Sequence, residues 1–449
     1  MWEVWLYLQR NYPGNKIVYS TQVDTGMNFP GRMYARGDGS FCFSHITMFK
    51  MKKLSILFSI AISALFLLSC NPQGKQGGET QFSIEENIAF ASNQYGWMIA
   101  MLEDSGRMLN PKSFIDGKMK FIRPQEWTSG FFPGSLWYLY ELTGDEKWIE
   151  PAVKQTEALD TIQYFTNNHD VGFMIGCSYG NALRLTGNTA YKDVIIQAAR
   201  SLSTRFNPAT GVIQSWNANP QKDWEYPVII DNMMNLELLF DATEFSGDST
   251  FYRIAVSHAD NTIKNHYRPD YSTWHVIDYS KTDGSVRHRH THQGYADESS
   301  WSRGQSWGVY GYVLCYRKTK DPAYLSQAEK ALDFIAAHRN YPDDGVPYWD
   351  FNAPGIPDTY RDTSAASILA SALYEISTYS DKKNYKEWAD KIMVSLSGPD
   401  YRAETGGNGF FILKHAVGSL PHNSEVDVPL NYGDYYFLEA LKRKRDLES

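Results

Sequence analysis

Two aspartates stand where a loop meets a helix-forming run, each among apolar or aromatic neighbours. Asp170 lies in Asn168-His169-Asp170-Val171-Gly172-Phe173-Met174, and Asp231 in Tyr226-Pro227-Val228-Ile229-Ile230-Asp231-Asn232-Met233-Met234. A carboxylate among Ile and Met is unfavourable unless protonated or paired, so a raised pKa is expected for Asp231, suiting a general acid. A helix N-terminus works the other way and favours the anion. The plain alternative for both is an N-cap. A third segment, Trp301-Ser302-Arg303-Gly304-Gln305-Ser306-Trp307-Gly308, follows His290-Thr291-His292-Gln293-Gly294-Tyr295. Alternating Trp, Arg and Gln offers stacking faces, a fork for a carboxylate and an amide for hydroxyls, which together describe a uronic-acid pocket. Core tryptophans around a structural arginine are the other reading. His288, His290 and His292 alternate as metal ligands can, but no carboxylate cluster adjoins them, and no metal is expected.

These residues need a scaffold, and the chain compared with itself supplies one. An apolar helix, a short polar turn, an aromatic and an amphipathic helix recur in SLWYLYELTGDEKWIEPAV, NALRLTGNTAYKDVIIQAA, LELLFDATEFSGDSTFYRIAV, VYGYVLCYRKTKDPAYLSQAEKAL and ALYEISTYSDKKNYKEWADKI. Each turn stops one helix and caps the next. Five hairpins, with flanking helices at Ile84 to Glu103 and Asp434 to Arg445, give twelve helices. Six antiparallel pairs closed into a ring, an all-α (α/α)6 barrel in a single domain over 83–449, is the expected fold. An open solenoid is the alternative, but the terminal helices carry no obvious polar cap. The long stretches between hairpins, Phe206 to Pro227 and Pro269 to Trp301, hold Trp, His and Asp, and such loops are where a scaffold keeps its function.

The 449 residues include 13 Trp, 30 Tyr and 23 Phe, a globular composition, and carry a net charge of −8 without a Lys/Arg cluster, which argues against a nucleic-acid partner. From Met51 a pair of lysines and an apolar run, Leu54 to Leu68, read as a signal peptide ending in the lipobox Leu67-Leu68-Ser69-Cys70. Cys70 is then the lipidated first residue of an exported protein, anchored to a bacterial membrane and facing the periplasm. Residues 51–69 are the signal peptide, 70–82 a tether, and 1–50 an upstream extension from a mis-called start. Cys177 and Cys315 remain in the fold, as a disulfide or as two buried thiols.

The sequence resembles family 88 of the glycoside hydrolases, the unsaturated glucuronyl hydrolases. The resemblance is carried in one order by Trp127-Thr128-Ser129-Gly130-Phe131, His169-Asp170-Val171-Gly172-Phe173, Asp231 with Asn235-Leu236, the Trp301 to Trp307 segment, and Asn431-Tyr432-Gly433-Asp434-Tyr435-Tyr436. It implies an (α/α)6 barrel acting on lyase-generated oligosaccharides that end in a 4,5-unsaturated uronic acid, of glycosaminoglycan type. It implies Asp231 as general acid and base, and Asp170 as the second essential carboxylate. Trp127, Trp216, His275, His292, Gln293, Arg303, Gln305, Trp307 and Ser424 are implied as the substrate pocket, with no metal or nucleotide cofactor. Some relatives that accept sulfated sugars carry a Ser-x-x-Ser-x-Lys loop. At the corresponding Pro421-His422-Asn423-Ser424-Glu425-Val426 only Ser424 matches, which puts a strong preference for sulfated fragments in doubt. An unsaturated rhamnogalacturonyl hydrolase acting on pectin fragments is the nearest rival. A non-catalytic glycan-binding lipoprotein is opposed by retention of both aspartates, and an epimerase by the lack of a histidine pair that faces the sugar.

Overall fold

The polar turns seen in the sequence work as helix stops. Gly144, Gly187 and Gly247 adopt φ of 66°, 67° and 74° at helix C-termini, a conformation that side chains with a Cβ disfavour. The residue after each glycine then restarts the chain: Asp145 accepts the Lys147 N–H at 3.0 Å, and Asp248 the Thr250 N–H at 2.8 Å. At the fourth turn Lys320 takes the left-handed position, with φ of 59°, and Asp321 caps the next helix.

The computed structural model describes residues 82–449 apart from Lys383. The proposed extension, signal peptide and Cys70, and all but the last residue of the tether, lie outside them. The described helices are α1 (Ile84–Asp104), α2 (Phe131–Thr143), α3 (Ile149–Glu157), α4 (171–186, α-helical except for a π turn at Gly176–Gly180), α5 (Ala190–Ser203), α6 (Leu236–Ser246), α7 (Ser249–His266), α8 (Ser302–Thr319), α9 (Pro322–Ala337), α10 (Thr363–Ile376), α11 (Tyr385–Ser397) and α12 (Asn431–Glu448).

Burial sorts them into two rings. In α8 every residue from Ser302 to Cys315 is buried, and in α10 every residue from Thr363 to Ile376. The outer helices bury one stripe only, as α5 does with Tyr191, Ile195, Ala198, Ala199 and Leu202. Each inner helix packs on the next in the order α2, α4, α6, α8, α10, α12, and α12 returns to α2. The ring is closed, as the (α/α)6 expectation required. Cys177 and Cys315 are both free and buried, so the disulfide alternative falls.

Because tight turns join each inner helix to its outer partner, every long connection falls at the other end, where the inner helices begin. These connections fold into short antiparallel pieces: β1 (Asn110–Ile115) with β2 (Lys118–Ile122), β3 (Phe206–Asn207) with β4 (Val212–Ile213), the sheet β5 (Pro227–Ile229), β6 (Val276–Tyr279) and β7 (Val286–His290), and β8 (Ala416–Ser419) with β9 (Ser424–Val428). The opposite end is filled by charge. Glu439 accepts from Tyr138, Tyr310 and Ser371 at 2.6–3.0 Å, while Arg443 and Arg317 both pair with Glu375 at 2.8 and 2.9 Å. Arginines suit the end where helix carbonyls are left unsatisfied.

Candidate active site

Asp170 directly precedes α4, and Asp231 sits in a 3-10 turn (Ile230–Asn235) that leads into α6; neither side chain caps the helix it introduces. Asp170 thus holds the N-cap position without capping through its side chain, and Asp231 is not an N-cap. The two segments touch through Gly172, where a Cβ would lie 2.6 Å from the Asn235 Cα. Asn235 uses that approach: its Oδ1 accepts the Phe173 N–H at 2.8 Å, which leaves its amide N–H to donate to His169 Nδ1 at 3.1 Å. The His169 proton is thereby placed on Nε2, 3.3 Å from Asp170 Oδ1.

Asp231 has a matching neighbour. The backbone N–H groups of His292 and Gln293 both donate to His275 Nδ1 at 3.1 Å, so His275 also carries its proton on Nε2, 3.8 Å from Asp231 Oδ2. Burial holds both imidazoles neutral, His169 with a pKa of about 3 and His275 well below its usual value. Burial also lifts both carboxyls. Asp170 is pushed up to about 8, with the nearby Asp231 charge adding to the effect, and Asp231 to about 7 against the opposing pull of Arg303. Two carboxyls near neutrality, each faced by an uncharged N–H donor, can hold and release a proton at ordinary pH. Asp231 Oδ2, His275 Nε2, His169 Nε2 and Trp307 Nε1 are all buried without a hydrogen-bond partner. Buried polar atoms rarely go unpaired, and a polyhydroxylated ligand would supply what these lack.

The sequence profile of Glycosyl Hydrolase Family 88 matches residues 106–444. The chain belongs to that family. Among its relatives, the unsaturated glucuronyl hydrolase of Formosa agariphila is 43% identical over 399 residues, covering 88% of this chain and 99% of that one. Among solved structures, an unsaturated glucuronyl hydrolase specific for heparin superposes with a TM-score of 0.77 at 44% identity, over 81% of this chain and 97% of the other. A mutant unsaturated glucuronyl hydrolase from Streptococcus agalactiae, complexed with dGlcA-GalNAc6S, does so with a TM-score of 0.66 at 29% identity, over 80% and 91%.

Against the family 88 expectation, the pocket residues divide by position. Trp127 is half-buried against Tyr432, with ring centroids 5.0 Å apart, and Trp216 stands edge-on to His275 and His292 at 6.0 and 5.0 Å. Of these, His275 faces Asp231, Trp127 meets Phe173 three residues beyond Asp170, and Trp216 and His292 pack on His275. Arg303 is fully buried between Trp301 and Tyr432, and its guanidinium is engaged by Asp362 at 2.8 Å and by the Val417 and Gly418 carbonyls. It thus holds β8 over the mouth, and Gln293 does the same by donating to Gly418 O at 3.1 Å. Gln305 departs from its expected part: its Oε1 accepts from the Thr273 N–H and its Nε2 donates to Tyr271 O, which leaves no amide for hydroxyls. Trp307 is fully buried against Phe173 and Tyr436, which closes its faces to a sugar, and its N–H lies close enough to Asp231 to favour the carboxylate. Ser424 is exposed on β9, paired in register with Ser419. The three alternating histidines go to separate partners, His288 to Asp223 at 2.7 Å and His290 to the Trp224 indole N–H at 2.8 Å, while His292 faces Trp216.

Sequence reasoning did not assign roles to His169, Asn235 or Asp362. His169 and Asn235 stood inside quoted motifs beside the aspartates, which was signal enough. Asp362 carried no local mark of its contact with Arg303, 59 residues away in sequence.

Proposed function

We propose that this chain releases the 4,5-unsaturated uronic acid from the non-reducing end of lyase-generated oligosaccharides of glycosaminoglycan type, by hydrating the vinyl ether. The observation that carries the reading is the pair of buried, proton-holding carboxyls Asp170 and Asp231 with an unpartnered Asp231 oxygen. Ordinary glycosidases protonate the leaving oxygen and attack the anomeric carbon. In a vinyl ether the nucleophilic atom is C4. Asp231 gives its proton to C4, and positive charge appears at C5, shared with the ring oxygen. The resulting Asp231 carboxylate then removes a proton from the water that adds at C5. The hemiketal so formed opens and frees the neighbouring sugar, and Asp231 ends protonated, as it began. Asp170, holding its own proton, serves as a hydrogen-bond partner for sugar hydroxyls, and becomes a counter-charge to the oxocarbenium-like state only where it has lost that proton. His275 Nε2–H is placed to steady the newly formed Asp231 carboxylate.

Loss of the unsaturated chromophore, followed with glycosaminoglycan and pectin disaccharides side by side, tests the reading. Turnover of the glycosaminoglycan members is expected, and turnover confined to pectin disaccharides would assign the chain to rhamnogalacturonyl fragments instead. The lysine pair, apolar run and lipobox over 51–70 support export and anchoring through Cys70. Intact mass of the native protein, with or without a lipid at Cys70 and residues 1–50, tests that.

A further inference from the structure

Arg205 is a buried cation that the reaction as written leaves idle. It stands just past the end of α5, and each of its nitrogens is engaged: Nε donates to Gln214 O and Nη1 to Thr166 O, both at 2.7 Å, while Nη2 donates to Ser215 O and both terminal nitrogens donate to Asn217 Oδ1, all at 3.2 Å. Unlike Arg303, Arg317 and Arg443, it has no carboxylate within salt-bridge reach among the described residues. A guanidinium buried without a counter-ion is destabilising, and packing alone would be served better by an apolar side chain. The contacts themselves are what its presence secures.

Those contacts join two stretches remote in sequence. Thr166 lies in the run that leads to His169 and Asp170, whereas Gln214, Ser215 and Asn217 enclose Trp216. The second stretch is fastened independently to the other aspartate. The Ser215 N–H donates to Pro227 O at 2.9 Å, its hydroxyl oxygen accepts the Ile229 N–H at 3.0 Å, and Asn232 donates to Ile213 O at 2.8 Å. Pro227 and Ile229 bound β5, which runs directly into the turn of Asp231, and Asn232 is the next residue of that turn. Residues 213–217 thus form a common mount, with Asp231 tied to one side and the approach to Asp170 to the other.

We propose that Arg205 is a positioning residue for the reaction: it seats the Asp170 stretch on the mount shared with Trp216 and Asp231, and so holds the two carboxyls at the spacing in which they meet the sugar. Its role in turnover rests on the reading of the aspartates given above; the tie between the stretches does not. The fork is what matters, since the contacts lie on three nitrogens held in one plane, which a lysine ammonium cannot reproduce.

The test compares the full chain with Arg205→Lys, which keeps the charge, and Arg205→Met, which keeps neither charge nor fork. Amide hydrogen exchange is read by mass spectrometry on peptides covering 166–172 and 213–218, with α10 as internal reference. Both stretches are expected to exchange about tenfold faster in each variant, the size of one lost hydrogen bond, with α10 unchanged. Turnover of an unsaturated disaccharide, measured well below the melt and per folded molecule, should fall about 100-fold, more in kcat than through KM, as misplacement of a reacting group does. If Arg205→Met does not fold, Arg205→Lys carries both readouts. Faster exchange in one stretch only, or a wild-type kcat in the lysine variant, overturns the proposal. A wild type that turns over no unsaturated disaccharide removes the reading of the aspartates instead, and the exchange rates then decide the tie.

Discussion

Asp231 and Asp170 are acids because they are buried, and this has two consequences of opposite sign. In the proposed reaction the proton must be present on Asp231, so kcat/KM should fall about tenfold per pH unit once pH rises past its pKa of about 7. A profile flat from pH 6 to 9 would remove Asp231 as the acid. Asp231→Asn should lower kcat by at least about 100-fold while leaving substrate affinity largely intact. For stability, an aspartate pKa raised from about 3.9 means that the folded state binds the extra proton, so stability is full at low pH and declines as pH rises through about 7. Asp231→Asn carries no charge at any pH. It should therefore raise the melting temperature relative to wild type more at pH 8 than at pH 5, and an equal shift at both would show that the buried charge is not what strains the site.

At the level of elements, the hairpins were legible because their signals are local. A glycine or lysine at a left-handed stop, an aspartate two residues before the N–H it caps and an aromatic at fixed offset lie within a few residues of one another. Gly247→Ala tests that account. No atom would crowd the added Cβ, so the expected loss, about 1 kcal/mol by denaturant unfolding, comes from backbone conformation alone. The site was legible only where its parts adjoin in sequence, as His169 does with Asp170. Arg303 read as a fork for a ligand because its neighbours are Trp and Gln; Asp362 and the β8 carbonyls, which hold its two terminal nitrogens and leave Nε without a partner, are brought to it by the ring closing. The Asn431 to Tyr436 motif has the same explanation. Asn431 donates to Pro111 O and Thr128 O, and Asp434 accepts the Ile412 and Leu413 N–H groups, so the motif ties the last helix to the first connections. Only the repeat as a whole announced that closure.

Over the whole molecule, the barrel has one face for ligand and one for charge. The Arg443, Arg317, Glu375 and Glu439 network joins α8, α10 and α12 at the end remote from the aspartates. Arg443→Met leaves buried Glu439 without its cation and Glu375 with Arg317 alone, and a loss of about 3–5 kcal/mol is expected from chemical unfolding. Activity at temperatures well below the melt should stay close to wild type, since the substitution is far from the mouth.

That plugged end also governs how a longer chain can be worked on. A saccharide enters the barrel by its tip and finds no exit ahead, so it cannot be threaded through from one cleavage to the next. The clipped uronic acid must leave by the door it entered, and only after the remainder has withdrawn. The remainder carries no second 4,5-double bond, so each encounter removes a single terminal unit, and the closed end fixes only the side by which both products leave.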